Sequence, residues 1–291
     1  RRLMSILVNK DTKVLIQGIT GTQASFHVKR SMDYGTNVVA GVTPGKGGTE
    51  HLDVPVFDTV KAAVKETGAN ASVMFVPARF VKSAVREAVE SGLQTTVCIA
   101  DGVPIKDMLE IKAMLKGSAT RMIGPNTPGI ITPGEARLGI FPENIHVPGR
   151  IGVISRSSTL TYEAVLEINR AGLEQSTVID LGDDMLVGTG FKDLLGLFHE
   201  DDKTDAIVMI GQMGGTFEES CAEFYKNLPH KKPVIGFVAG NAVPFGHKMG
   251  YAGDIVTNGH ITVQDKIEAM SASGMTVVDN INAIHHELLK L

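Results

Sequence analysis

The sequence predicts an α/β protein built as two doubly wound domains with largely parallel sheets. Three observations carry this. Apolar, β-branched runs of strand length alternate with helix-patterned stretches along the chain. Glycines punctuate the ends of both. A single proline-rich stretch near the middle breaks the alternation, and the alternation then resumes. Near-continuous apolar strands joined by crossover helices require a sheet covered on both faces.

In the first half, strands are expected at "KVLIQG" (13–18), "NVVAGV" (37–42), "VPVFD" (54–58), "ASVMFVP" (71–77), "TTVCIAD" (95–101) and "RMIGPN" (121–126). The segments "TQASFHVKRSMDYG", "TVKAAVKETG", "ARFVKSAVREAVESG" and "PIKDMLEIKAMLKG" between them have helical spacing and a closing glycine. Residues 124–150 carry Pro125, Pro128, Pro133, Pro142 and Pro148 with little periodicity, which marks the boundary segment. Strands resume at "RIGVISRS" (150–157), "STVIDLG" (176–182), "DAIVMIGQ" (205–212), "KPVIGFVAG" (232–240) and "MTVVDNI" (275–281). The expected organisation is a Rossmann-like domain over 1–134, a connecting segment over 135–147 and a flavodoxin-like doubly wound domain over 148–291.

Composition narrows the function. A length of 291 residues with 43% hydrophobic and 21% charged residues suits two globular domains with sizeable cores. A net charge of −4 gives no electrostatic reason to expect nucleic acid or an anionic membrane as partner. No apolar run reaches the ~18 residues a transmembrane helix needs. Cys98 and Cys221 lie far apart, with neither a disulfide framework nor a zinc spacing, so a reducing compartment is expected. The chain opens Arg1-Arg2-Leu3-Met4-Ser5. That start is compatible with a removed transit peptide and a mitochondrial matrix location, bacterial cytoplasm being the alternative.

The loops then suggest a ligand. "VLIQGITGTQASFHVKR" puts Gly18 and Gly21 between the first strand and its helix, where free backbone N–H groups bind phosphate. Gly-x-x-Gly alone is a weak signal, since many such turns are only tight connections. At the end of the second strand, a dinucleotide binder places an acid on the ribose. Here stands Thr43-Pro44-Gly45-Lys46-Gly47-Gly48, a glycine-wrapped cation that favours an extra phosphate over NAD. The fourth and fifth strands end in Val76-Pro77 and Ile99-Ala100-Asp101, at the sheet edge where ligands of open α/β sheets lie. A long phosphate-bearing nucleotide such as coenzyme A fits. In the second half, "GVISRSSTLTYEA" sets Ser157, Ser158 and Thr159 at a helix start, a second anion-binding position.

Taken in order, "GITGTQASFH", "AGVTPGKGG", "RMIGPNTPGIITPGE", "ISRSSTLTYEAV", "IVMIGQMGG" and "KMGYAG" resemble the signature segments of the α subunit of succinate–CoA ligase, from about Ser5 to the C-terminus. The resemblance implies a CoA-binding domain and a ligase domain. It also implies a nucleotide-gripping β-type subunit as partner, in a heterodimer, a heterotetramer or a larger assembly. Thr20, Gly21, Thr22 and Gln23 would cradle CoA, Lys46 would contact it, and Ile99, Ala100 and Asp101 would line it. Tyr162 would approach the acyl substrate. No metal is implied on this chain. In the family, phosphate passes from a nucleotide to a histidine and then to succinate, and CoA displaces it.

The chain departs from that pattern at the histidine. The family loop reads Met-Gly-His-Ala-Gly, whereas this chain reads Met249-Gly250-Tyr251-Ala252-Gly253. A phenol ionises near pH 10 and forms a phosphate ester of low transfer potential, so it does not replace an imidazole. Gln212 stands where the family's glutamate orients the histidine, Asp183 adds a negative charge in "GDD", Ser158 replaces a glycine, and Thr127 stands at a usual cysteine. His247 and His260 are nearby imidazoles without the supporting carboxylate. The expectation is a CoA-binding homologue with the phosphoryl relay lost, acting as a structural or regulatory subunit. An active acid–CoA ligase with a rearranged site or a different acid is the alternative. An NAD(P)-dependent oxidoreductase using the first glycine loop is a third reading, and the Lys46 loop counts against it.

Overall fold

The structure is a computed structural model and describes residues 6–240 and 262–291. The chain divides into two compact units. One is Leu7–Glu143 with the short stretch Leu186–Thr189, and the other takes Ile6 and the chain from Asn144 onward without that stretch.

The first unit is built on β1 (Val14–Gln17), α1 (Thr22–Asp33), β2 (Val38–Val42), β3 (Glu50–His51), β4 (Val54–Phe57), α2 (Val60–Thr67), β5 (Ala71–Met74), α3 (Ala78–Glu90), β6 (Thr95–Cys98), α4 (Ile105–Lys116) and β7 (Arg121–Ile123). The strands run in the order β3-β4-β2-β1-β5-β6-β7 and are parallel except for the β3–β4 pair. All four residues are buried in each of β1, β5 and β6, as a sheet covered on both faces demands. On α3 the buried residues Val81, Ala84, Val85 and Ala88 recur at one helical face. They join a core with Leu15, Met74 and Ile111. The Oγ1 of Thr59 caps α2 by accepting from the Ala62 N–H at 3.2 Å, and left-handed Gly68 ends that helix. Strand order reverses between β1 and β5, which opens a crevice at the strands' carboxyl ends.

The proline-rich stretch holds more structure than its sequence suggests. β8 (Gly129–Thr132) and β9 (Ala136–Gly139) form an antiparallel hairpin that belongs to the first unit.

The second unit carries β10 (Pro148–Ser155), α5 (Ser158–Arg170), β11 (Gln175–Asp180), α6 (Phe191–Glu200), β12 (Ala206–Gln212), α7 (Phe217–Lys226), β13 (Val234–Ala239), α8 (Val263–Ala272), β14 (Thr276–Val278) and α9 (Ile284–Leu288). Its parallel strands run β14-β13-β12-β10-β11, the flavodoxin-like order, with the reversal between β10 and β12. Thr262 and Asp265 cap each other across the first turn of α8, a reciprocal box that fixes where this helix begins. No helix among the described residues is long and apolar enough to cross a membrane.

Candidate functional site

At the β1/β5 reversal the first unit forms a half-open cavity of about 490 Å3. Gln17 and Gly18 leave β1 into it, Val42 and Thr43 come from the end of β2, and Phe75 and Val76 from the end of β5. Gly18 has φ +84, and a Cβ there would sit 2.5 Å from the Phe75 carbonyl oxygen, so only glycine lets the loop pass this close to β5. The Gly18 N–H donates to the Val42 carbonyl at 2.8 Å and the Gly21 N–H to the Gly18 carbonyl at 3.1 Å. Gly21 is the residue before α1 and has extended backbone, and no side chain caps that helix. The first N–H groups of α1 are therefore left to an outside acceptor, which suits a phosphate.

The sequence-derived CoA residues group around this edge unevenly. Thr20 and Gly21 line the cavity, and the Thr20 Oγ1 lies 3.4 Å from the Thr43 Oγ1. Thr22 and Gln23 open α1 and are exposed. Lys46 is exposed on the turn after β2 and does not line the cavity. Ile99, Ala100 and Asp101 follow β6 at the same edge of the sheet, outside the cavity lining. The sequence reading missed Asp58. Its Oδ1 accepts from the Gly45 and Gly47 N–H groups at 2.7 and 2.9 Å and so shapes the turn that presents Lys46. The only signal was an acid closing the run "VPVFD" beside a glycine-rich loop.

In the second unit, Ser157 precedes α5 with extended backbone, and its side chain makes no capping bond. The Asp183 carboxylate, from the turn after β11, lies near the head of α5 and the Arg156 guanidinium. Burial pushes the Asp183 carboxyl up to about 6. Arg156 and the Ser158 N–H oppose this and Asp184 reinforces it. Its Oδ1 is buried without a partner. Thr159 is exposed on the first turn, and Tyr162 is half-buried one turn on. Arg156 is 1% exposed. Its Nη1 donates to the Gly214 carbonyl at 3.3 Å, and its guanidinium lies over the Phe217 ring at 4.4 Å. Gln212 ends β12, buried, with its Nε2 unpartnered among the described residues. The loops after β10, β11 and β12 thus meet at the head of α5. Tyr251, His247 and His260 lie outside the described residues.

Asp183 gives a pH signature. The folded carboxyl at about 6 holds a proton that the unfolded chain, near 3.8, releases. The stability this group contributes is present below pH 3.8 and is lost as pH rises through 6. Asp183→Asn should therefore stabilise the protein at pH 7.5 by about 1–3 kcal/mol and lose that advantage toward pH 4. Urea unfolding at the two pH values checks this.

Comparison with known proteins follows the same lines. Residues 9–102 match the CoA binding domain family and residues 154–276 the CoA-ligase family. The chain is 49% identical over 290 residues to the succinate–CoA ligase [ADP-forming] subunit alpha of Aquifex aeolicus, covering 99% of this chain and 95% of that one. It is 50% identical over 274 residues to subunit alpha 2 of Archaeoglobus fulgidus, covering 94% and 95%. It is 46% identical over 288 residues to the Staphylococcus aureus subunit, covering 99% and 95%. Among solved structures, an ATP citrate lyase from Methanothrix soehngenii in complex with citrate and coenzyme A superposes with a TM-score of 0.88 at 22% identity. That match covers 98% of this chain and 50% of the lyase, so the chain spans half its length, and at this identity the likeness is one of fold.

Proposed function

The chain belongs to the family of succinate–CoA ligase α subunits, and on that premise we propose that it is a CoA-binding subunit that pairs with a nucleotide-binding β-type subunit and has lost the phosphoryl relay. CoA would run along the first sheet's edge. Its phosphates would sit at the uncapped start of α1, with Thr20, Gly21, Thr22 and Gln23 around them, and Lys46 would meet the extra phosphate. Ile99, Ala100 and Asp101 would line the remainder, and Tyr162 would face the acyl substrate.

The observation that carries relay loss is the head of α5. There the Asp183 carboxylate stands near the Arg156 guanidinium and the start of α5, where an incoming phosphate would sit. Gln212 offers an amide where a carboxylate would orient an imidazole, and Tyr251 supplies a phenol at the nucleophile's place. Two negative groups a few ångströms apart repel, so a phosphate there would first have to displace or neutralise Asp183.

Two measurements test the reading. Calorimetric titration should show CoA binding with a dissociation constant on the order of 1–100 μM, and no heat from NAD or NADP. Nicotinamide binding without CoA binding overturns the assignment. Incubation with a β-type partner and labelled ATP or GTP should leave the chain unlabelled. One phosphate per chain would establish the second reading, an active acid–CoA ligase with a rearranged site, which the match over 95% of those relatives' length favours.

A further inference from the structure

The turn that presents Lys46 is held on one side by Asp58, through the Gly45 and Gly47 N–H groups. Past the turn the chain runs directly into the β3–β4 hairpin. The Thr49 Oγ1 donates to the Lys46 carbonyl at 2.7 Å, and the Gly48 N–H to the Val56 carbonyl at 3.0 Å. Turn and hairpin are thus bonded into one body. The hairpin is a weak anchor by itself, because β3 has two residues. Its connection sets Leu52 and Asp53 at φ 52 and 59, a left-handed region that residues other than glycine seldom adopt. Such a connection persists where its surroundings hold it.

The holding bond comes from α1. The His51 Nε2 lies 2.7 Å from the Ser25 Oγ, in the first turn of that helix. Ser25 has a single hydroxyl proton, and the Gly21 carbonyl at 2.9 Å, which can only accept, takes it. The His51 Nε2–H is then the donor to the Ser25 oxygen, in the neutral and the protonated ring alike. Both residues are half-buried, so the bond is partly shielded from water. Gly21 is the residue before α1. The contact therefore ties the Lys46 hairpin to the helix turn whose first N–H groups stand open to an outside acceptor.

We propose that Ser25 and His51 are positioning residues whose bond holds the Lys46 turn in place beside the start of α1, so that the lysine selects a ligand carrying a second, monoester phosphate. They act through Lys46 and not by touching the ligand. The proposal rests on the CoA reading, in which that monoester is the extra phosphate Lys46 would meet. A lysine on an untethered surface turn is spread over many positions, and water and salt screen its charge. Fixing the backbone that carries it is what lets it tell one phosphate pattern from another.

The test compares CoA with the analogue that lacks its 3′-phosphate, by calorimetry on the full chain. The wild type should bind CoA at least about tenfold more tightly than the analogue, and Lys46→Ala should bring the two within about threefold. Ser25→Ala and His51→Phe should do the same by weakening CoA alone, with affinity for the analogue kept within about twofold of wild type. Ser25→Thr keeps a hydroxyl, and His51→Gln keeps an N–H where Nε2 stands, so both should keep the wild-type ratio. A wild-type ratio near one, or a ratio that survives in Lys46→Ala, Ser25→Ala or His51→Phe, overturns the clasp while CoA binding stands. So does loss of the analogue in step with CoA, which marks a bond that only supports the fold, and so does a ratio lost in both conservative variants. Absence of CoA binding to the wild type overturns the CoA reading itself and this inference with it.

Discussion

Joined in one chain, Tyr251→His and Gln212→Glu should raise phosphate uptake from labelled ATP or GTP, with a β-type partner present, by about 10^4-fold or more over wild type. The size follows from the chemistry of the carrier. An imidazole accepts a phosphoryl group near neutral pH and holds it as a labile P–N bond, which a carboxylate can take over. A phenol is protonated at that pH and, once phosphorylated, holds the group as an ester. The glutamate is needed as well, because a catalytic group must be held by a partner within hydrogen-bond reach. At position 212 the structure shows a buried amide whose Nε2 finds no acceptor among the described residues. Each single substitution should therefore stay near background. Adding Asp183→Gly should increase the yield further, since it removes the carboxylate beside the incoming phosphate. Acid-labile label on the double variant, with none on wild type, is the expected result. Label on the wild type sinks relay loss outright.

The architecture was legible because its signals are local and periodic. The run "VLIQG" became β1 and the turn after it, and "TVKAAVKETG" gave α2 with its Thr59 cap and Gly68 stop where those residue types belong. The β8–β9 hairpin was not legible. Gly129 has φ +109, and a Cβ there would sit 2.1 Å from the Leu138 carbonyl oxygen. The glycines and prolines that permit this close pairing are the same residues that erase strand periodicity. At the sites, the glycine loop, Lys46 and the serine turn were visible as residue types next to apolar runs. Their partners were not. The bonds from Gly45 and Gly47 to Asp58, and the approach of Asp183 to Arg156 at the head of α5, join residues separated in sequence. Lys266, in "VQDKIEAM", has the sequence appearance of a helix-surface cation. The fold makes it 0% exposed.

That lysine carries the largest stability effect expected of a single change. Its Nζ donates to the Glu218 Oε2 at 2.7 Å, the Glu219 Oε2 at 3.0 Å and the Gly215 carbonyl at 2.8 Å. Glu218 is itself 0% exposed, and its Oε1 takes the Gln212 N–H at 3.1 Å and lies 3.9 Å from the Arg156 Nη1. Removing the ammonium leaves a fully buried carboxylate beside a second one, with only the more distant Arg156 to balance them among the described residues. Lys266→Met should therefore cost about 3–5 kcal/mol and lower Tm by about 10 °C. The cost arises from the stranded charge more than from a lost attraction, which makes a second substitution informative. In Lys266→Met with Glu218→Gln, the neutral amide oxygen can still accept the Gln212 N–H, and more than half of the lost stability should return. Because Glu218 ties the end of β12 to α7, the single variant should also loosen the turn that carries Gln212. Amide exchange at Gln212 should then accelerate in Lys266→Met and slow again in the double variant. A single variant that melts within about 2 °C of wild type would mean that Glu218 is neutralised by other means and that the lysine is dispensable.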